Sequence, residues 1–222
     1  MAVAANFAGP MQQIASQFEQ RSGHTVLLSF ASSGKLLTQI TQSAPFDLFL
    51  AADQAMPARL VEQHLAVAGS QFTYATGKLV LWSATPGLVD AQARVLLQGR
   101  FQHLAIASPR QAPYGAAALQ TLNALKLSYA DKIVQGESIG QAYALVASGN
   151  AELGLVALSQ VWKDNKITSG SAWIVPSTLY SPLRQDAVLL IHGQNNAAAK
   201  ALLGYLKTDQ VQQLIHSWGY TN

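Results

Sequence analysis

The chain has 222 residues, of which 50% are hydrophobic and 11% are charged, and it contains no cysteine. This composition is typical of a folded protein with a sizeable core and differs from the polar, highly charged composition of disordered chains. The absence of cysteine excludes disulfides, thiolate metal sites and cysteine nucleophiles. The formal net charge is +3 and no run of consecutive basic residues occurs, which argues against nucleic acid as a partner.

Strand-like and helix-like segments alternate from the start of the chain, which predicts an α/β fold with a largely parallel sheet. In the first quarter, apolar runs predict strands at residues 3–5, 25–30 and 46–51. The two helices between these strands are predicted from apolar residues at helical spacing. Their apolar faces are Met11, Ile14, Ala15 and Phe18 in the first helix and Leu36, Leu37 and Ile40 in the second.

The same alternation continues to the end of the chain. Strands are predicted at residues 79–83, 104–107, 153–157 and 187–191, and helices at 113–127, 141–148, 195–207 and 209–218. Asn195 and Asn196 are suitable caps for the helix that follows them. Residues 175–182 contain a proline near each end and are predicted to be irregular. The longest apolar runs are about one strand long, far shorter than the roughly 18 residues that cross a bilayer.

Residues 1–6 lack the basic and extended apolar stretches of a signal peptide. A strand-like segment starts almost at once, so we expect the numbering to begin at a trimmed mature form.

Catalytic signatures are weak. The five histidines lie far apart in sequence and none has metal-ligand spacing, so we predict no protein-bound metal ion and no cofactor. Ser32-Ser33-Gly34-Lys35 matches the Ser-x-x-Lys motif of serine/lysine acyl enzymes, but the partner motifs of those enzymes are absent. We therefore predict that the protein is not an enzyme, and a hydrolase using Ser32 and Lys35 remains the alternative from that class.

The same Ser32-Ser33-Gly34 segment stands where a predicted strand ends and a helix begins. The ordinary interpretation of such a serine is N-capping. Three further turns of this kind, at residues 6–9, 113–115 and 137–139, also precede predicted helices. Because N–H groups in the first turn of a helix bind anions, and strand ends of open α/β sheets gather ligands, these turns favour an anion-binding protein.

Six segments resemble, in the same order, the molybdate-binding proteins of bacterial ABC importers. They are VAANF at 3–7, SFASSGK at 29–35, APFDLFLAAD at 44–53, APYG at 112–115, GLVA at 154–157 and VP-x-x-LY at 175–180. The resemblance implies a type II periplasmic binding protein, an α/β fold of two lobes with mixed sheets flanked by helices. Two crossings near residues 78–82 and 185–188 would join lobe I (1–79 and 187–222) to lobe II (80–186), with the ligand in the cleft between them.

The resemblance also implies a set of anion contacts. These are Asn6, Ser33, Tyr114 and the backbone at Ile139, with the neighbouring Ala5 and Ser32 as further candidates. Many members of the family also use a tyrosine where this chain has Ala157, so that contact is missing, and we expect Tyr114 to supply a phenol from another wall.

The implied ligand is molybdate or tungstate, and the implied partner is an inner-membrane permease with its ATPase. A periplasmic location and a monomer are expected on the same ground. Neutral donors suit a dianion, and a site without acceptors would leave the proton of phosphate unpaired. A receptor for sulfate or another tetrahedral oxyanion on the same fold remains the alternative. Asp53 is predicted to cap the next helix, and Asp47 to pair with nearby backbone.

Overall fold

The computed structural model describes residues 1–221. Its strands are β1 (Ala2–Ala4), β2 (Ser29–Ala31), β3 (Leu48–Leu50), β4 (Phe72–Gly77), β5 (Leu79–Ser83), β6 (Leu104–Ala107), β7 (Ile133–Gly136), β8 (Leu153–Ala157), β9 (Trp162–Lys163), β10 (Lys166–Ile167), β11 (Ser171–Ile174) and β12 (Leu183–Leu189). Its α-helices are α1 (Ala8–Ser22), α2 (Ser33–Thr41), α3 (Ala55–Glu62), α4 (Arg94–Leu97), α5 (Pro113–Ala124), α6 (Ile139–Ala147), α7 (Ala197–Tyr205) and α8 (Asp209–Ser217).

The chain divides into two compact units. Unit 1 comprises Met1–Thr76 and the segment from Arg184 onward, and unit 2 comprises Gly77–Leu183. The chain leaves unit 1 at the end of β4 and returns to it within β12. The family resemblance predicts the corresponding boundaries after residues 79 and 186.

Unit 1 is built on a five-stranded sheet in the order β2-β1-β3-β12-β4. β1 pairs in parallel with both β2 and β3, and β12 pairs antiparallel with β3. Because side chains alternate along a strand, Leu48 and Leu50 belong to one core and Phe49 to another. The predicted apolar faces of α1 and α2 are buried in these two cores, one helix in each. The sheet is therefore covered by helices on both faces.

Unit 2 is built on a second five-stranded sheet in the order β11-β5-β8-β6-β7. β8, β6 and β7 are parallel neighbours, whereas β5 is antiparallel to both β8 and β11. The helices α5 and α6 pack against this sheet. A short antiparallel hairpin of β9 and β10 is separate from it.

The strands predicted at residues 79–83, 104–107 and 153–157 are confirmed with the same bounds. The expectation of a largely parallel sheet is wrong, because each sheet combines parallel and antiparallel pairs. The strand predicted at 25–30 begins only at Ser29, since β1, which it pairs with, is three residues long. The mixed sheets flanked by helices that the family resemblance implied are observed.

Two of the predicted polar contacts are confirmed and one is wrong. The Asn196 Oδ1 atom accepts hydrogen bonds from the N–H groups of Ala198 and Ala199 and caps α7. The Asp53 Oδ1 atom accepts from the Met56 N–H at 2.8 Å, at the start of α3. Asp47 does not pair with backbone through its carboxylate but lies 3.1 Å from His192 Nδ1, because a 3-10 turn after β12 brings the imidazole beside it.

Within residues 1–221, no helix is both long enough and apolar enough to span a membrane. In the same residues, no three or more acidic or histidine side chains are grouped so that they could hold a metal ion.

Gly136, the last residue of β7, provides a test of the packing between β7 and α6. A Cβ atom at Gly136 would lie 2.7 Å from the Ala142 nitrogen and 2.8 Å from the Gln141 Cβ atom. We expect Gly136→Ala to lower the free energy of unfolding by about 1–3 kcal/mol, measured by urea unfolding followed by circular dichroism.

Gly204 in α7 is the matched control, since a Cβ there meets no atom within 4 Å. We expect Gly204→Ala to raise the free energy of unfolding by about 0.5–1 kcal/mol, because alanine is the better helix former. Equal effects of the two substitutions would contradict the close packing at Gly136.

Candidate functional site

Asn6 lies in a 3-10 turn, Ala5–Phe7, that follows β1, and its side chain is buried. The Asn6 Nδ2 atom donates to Gln185 Oε1 at 2.8 Å and to the Tyr220 hydroxyl at 2.9 Å. The Tyr220 hydroxyl in turn donates to the Asn6 carbonyl oxygen at 2.9 Å. A carboxamide nitrogen carries two hydrogens, and both are used here. A contact between an anion and this turn would therefore come from main-chain N–H groups at Ala5 and Asn6.

Tyr74 extends this hydrogen-bond network. Its hydroxyl lies 3.1 Å from Gln185 Oε1 and 3.0 Å from the Ala51 carbonyl oxygen, and it can donate to either. Complete burial raises the pKa of Tyr74 well above its ordinary value, mainly because the phenolate would lose its hydration. The hydroxyl therefore remains a donor across the physiological pH range.

Ser33 is the first residue of α2 and is 1% exposed. Its hydroxyl oxygen accepts a hydrogen bond from the Ala52 N–H at 2.9 Å, just beyond β3. Because a serine hydroxyl has one hydrogen as well as two lone pairs, this bond leaves the hydrogen to be donated. Ser32 precedes the helix, and its side chain makes no capping hydrogen bond to it, so the ordinary capping interpretation does not hold.

Unit 1 thus brings its predicted contacts to one edge of its sheet. β2, β1 and β3 are parallel neighbours, so their carboxyl ends lie together. Asn6 follows β1, Ser33 follows β2, and Ala52, which orients the Ser33 hydroxyl, follows β3.

Tyr114 is the second residue of α5 and is 1% exposed. The helix starts with Pro113, whose missing N–H would have had no partner within the helix. At Gly115 a Cβ atom would collide with the Ala107 carbonyl oxygen, so glycine lets the helix start pack directly on the end of β6.

Ile139 is the first residue of α6 and is also buried. The Ser138 hydroxyl caps the helix by accepting from the Gln141 N–H at 3.3 Å. Gln160 fixes the same turn, because its Nε2 atom donates to the Ile139 carbonyl oxygen at 3.0 Å while its Oε1 atom accepts from the Ala157 N–H at 3.0 Å. Gln160 therefore links Ala157, the position where many members of the family have a tyrosine, to the first residue of α6.

Unit 2 repeats the arrangement of unit 1. β8, β6 and β7 are parallel neighbours, and Ala157, Tyr114 and Ile139 follow or end these three strands. Each sheet therefore has two predicted anion contacts at its carboxyl edge. Ser33, Tyr114 and Ile139 lie in the first turns of α-helices, and Asn6 lies in a 3-10 turn. Such turns direct N–H groups and partial positive charge toward a ligand.

Sequence reasoning missed Gln185, Tyr74 and Gln160, which hold these turns in place. The signal that was present is a polar residue inside an otherwise apolar segment: Gln185 stands just before the run at residues 187–191 and is fully buried. A buried carboxamide requires hydrogen-bond partners, but the sequence does not say which ones.

Comparisons with known proteins identify relatives over the full chain. The family described as bacterial extracellular solute-binding protein matches residues 1–221. The molybdate-binding protein ModA of Azotobacter vinelandii is 56% identical over 99% of this chain and 88% of its own length. The ModA of Rhodobacter capsulatus is 50% identical over 99% of this chain and 86% of its own length. A solved structure of the Azotobacter vinelandii periplasmic molybdate-binding protein superposes with a TM-score of 0.95 at 42% identity, covering 100% of this chain and 98% of that one.

Ser33 can be tested by Ser33→Ala, which removes the hydroxyl donor. We expect oxyanion affinity to fall by about 1.5–3 kcal/mol, the range for a hydrogen bond to a charged group, as measured by calorimetric titration with molybdate.

The matched control is Ser70→Ala in the same unit. The Ser70 hydroxyl also accepts from a backbone N–H, that of Leu189 at 3.1 Å, and donates to the Val67 carbonyl oxygen. Its loss should lower stability and leave affinity unchanged. Equal affinities of Ser33→Ala and wild type would remove Ser33 from the site.

Tyr114→Phe tests the phenol of unit 2 separately. If the hydroxyl binds the anion, the variant should lose affinity by a similar amount, about 1.5–3 kcal/mol. Unchanged affinity would leave Tyr114 as a packing residue at the start of α5.

Proposed function

This chain belongs to the bacterial extracellular solute-binding proteins, and from that premise we propose that it is a receptor for molybdate and tungstate. The observation that carries the proposal is the Ser33 hydroxyl, which accepts from Ala52 and keeps its hydrogen for a ligand at the start of α2. Its relatives from Azotobacter vinelandii and Rhodobacter capsulatus, both named molybdate-binding proteins, support the choice of ligand.

The proposed contacts are neutral donors. They are the N–H groups at Ala5 and Asn6, the Ser33 hydroxyl with the first turn of α2, the Tyr114 phenol and the N–H groups at Ile139. A tetrahedral dianion is stabilised by several such donors together with the positive ends of helices, without a full counter-charge. No cofactor enters this proposal, because the anion itself is the cargo.

The same donor set supports discrimination among oxyanions. Phosphate near neutral pH carries a proton, and a site of donors gives that proton no acceptor, at a cost of about 1–3 kcal/mol or more when buried. Molybdate and tungstate are bare dianions of nearly equal size, so both should bind. Sulfate is also a bare dianion but is smaller, so only the size of the site would exclude it.

The biological role that we propose is delivery of the anion to an inner-membrane permease and its ATPase. The name of the Azotobacter vinelandii structure supports a periplasmic receptor. We propose a monomer only on the ground of the family resemblance. We propose no catalytic activity. Ser32 lies directly before α2, and Lys35 lies in the first turn of this helix. In the proposed function the start of α2 binds an anion and forms no acyl enzyme.

The decisive experiment is calorimetric titration of the ligand-stripped protein with molybdate, tungstate, sulfate and phosphate at one pH and one salt concentration. We expect tight binding of molybdate and tungstate with little response to the other two. Stronger binding of sulfate would retain an oxyanion receptor and overturn the ligand. Absence of binding to all four anions would overturn the proposed function.

The same protein should be incubated with an activated ester, with the Lys35→Ala variant alongside. We expect no turnover by either protein. Turnover by the wild type that disappears in the variant would instead support the serine/lysine hydrolase.

A further inference from the structure

Gln185 is a buried polar residue on the face of β12 that also carries Ala187 and Leu189, which belong to an apolar core. It lies on β12, directly after Arg184, where the chain returns to unit 1, and its exposed fraction is 0%. Burial of a carboxamide is unfavourable unless its polar atoms are hydrogen-bonded. An apolar side chain would fill the same space without that requirement, so the presence of a glutamine at this buried position requires an explanation.

One oxygen atom of Gln185 serves two segments of the candidate site. The Oε1 atom accepts from Asn6 Nδ2 at 2.8 Å and lies 3.1 Å from the Tyr74 hydroxyl. Asn6 forms the turn after β1. Tyr74 also reaches the Ala51 carbonyl oxygen at 3.0 Å, at the end of β3.

The contact with Ala51 extends to Ser33. The next residue, Ala52, donates its N–H to the Ser33 hydroxyl oxygen at 2.9 Å and so directs the hydroxyl hydrogen. A shift of the β3 end would therefore move the donor of Ser33. Gln185 is bonded directly to the Asn6 turn, whereas it shares the single hydrogen of the Tyr74 hydroxyl with the Ala51 carbonyl oxygen at this strand end.

We infer that Gln185 is a positioning residue of the oxyanion site: it does not touch the anion but holds the Asn6 turn in its binding geometry. The inference rests on the proposed function and adds to it the residue that orients the donors of this turn. Buried hydrogen bonds restrict the geometry of the groups that they join, which is the property that an anion site made of neutral donors requires.

The first test is Gln185→Met, which keeps the length of the side chain and removes both the acceptor oxygen and the amide donor. We expect molybdate affinity to fall by about ten- to a hundredfold, as for loss of one buried hydrogen-bond partner. Affinity is measured by calorimetry and stability by thermal unfolding.

Gln71→Met is the matched control, with the same chemical change in the same unit. The Gln71 Nε2 atom donates to Asp186 Oδ2 at 2.7 Å, and Asp186 is the next residue on β12, facing the opposite side of the sheet. Gln71→Met should lower the melting temperature and leave affinity within about twofold of wild type, because it loses the hydrogen bonds to Asp186 and to the Gln54 carbonyl oxygen and no anion contact.

Gln185→Glu allows a measurement, the pH dependence of molybdate affinity, that would not change if Gln185 had only a structural role. The introduced carboxyl keeps an acceptor for Asn6 and Tyr74, but when ionised it places a negative charge behind the anion turn. Burial raises the pKa of such a group, so it should ionise between roughly pH 5 and 8. The ratio of the variant's Kd to the wild-type Kd at the same pH should rise with pH and approach one at low pH. Because both proteins meet the same ligand species at each pH, the ratio reports the carboxyl alone.

The outcomes separate the inference from the proposed function. Wild-type binding of molybdate, a weakened Gln185→Met variant and a pH-dependent ratio for Gln185→Glu support the inference. Should Gln185→Met fail to fold, the ratio for Gln185→Glu decides. Wild-type binding with an affinity ratio near one for every folded variant at all pH values would overturn the inference and leave the receptor intact. A wild type that binds none of the four anions would overturn both.

Discussion

The two hydrogen bonds donated by the Asn6 carboxamide join three segments that are far apart in the chain. Gln185 is 179 residues away from Asn6, and Tyr220 is 214 residues away. Phe7 packs between the rings of Tyr74 and Tyr220, with centroid distances of 4.7 and 5.5 Å. These aromatic contacts place both hydroxyl groups around the amide, so the geometry of the first candidate turn depends on the whole of unit 1 rather than on its own sequence.

The carboxylates of unit 1 are held by donors of their own. Asp53 accepts from the Met56 N–H, and burial raises its pKa above the ordinary value despite this hydrogen bond. Asp186 accepts from the Gln71 amide and from the Thr73 hydroxyl, each at 2.7 Å. Asp53 and Asp186 are thus bonded to donors outside the candidate turns, while the Ser33 hydroxyl accepts from the Ala52 N–H and can donate its own hydrogen. This separation of acceptors from donors is what a site for a bare dianion needs.

The features of the fold that depend only on residues close together in the chain could be predicted from the sequence. The amphipathic faces of α1 and α2 and the caps at Asp53 and Asn196 follow from spacing and residue type within a few positions. The insertion of β12 between β3 and β4 could not be predicted in this way, because it pairs segments more than a hundred residues apart. The mixed direction of both sheets follows from such long-range pairs.

The candidate site shows the same limit. Its residues were reached through the family resemblance and remain predictions, although each pair lies at the carboxyl edge of its sheet. The supporting residues were not reached, because a glutamine at 185 or 160 has no motif around it. Its role is defined only by partners such as Asn6 and Ile139 that the fold brings to it. Local patterns identify where a backbone turn begins, whereas its orientation is set by tertiary contacts.

Unit 1 is formed from two segments that are separated in the chain by unit 2, and this sets the order in which the two units can be completed. Unit 2 is one continuous segment, Gly77–Leu183, and all of its strands and helices are available once that segment has been synthesised. Unit 1 lacks β12 until synthesis has passed Leu189, so its central sheet is incomplete up to that point, and it lacks the Tyr220 hydroxyl for longer still. Domains generally fold as units, and non-local strand pairing is slow. Unit 1 therefore begins before unit 2 along the chain and is completed after it, and a nascent chain stopped before Tyr220 lacks the two hydrogen bonds that join Tyr220 to Asn6.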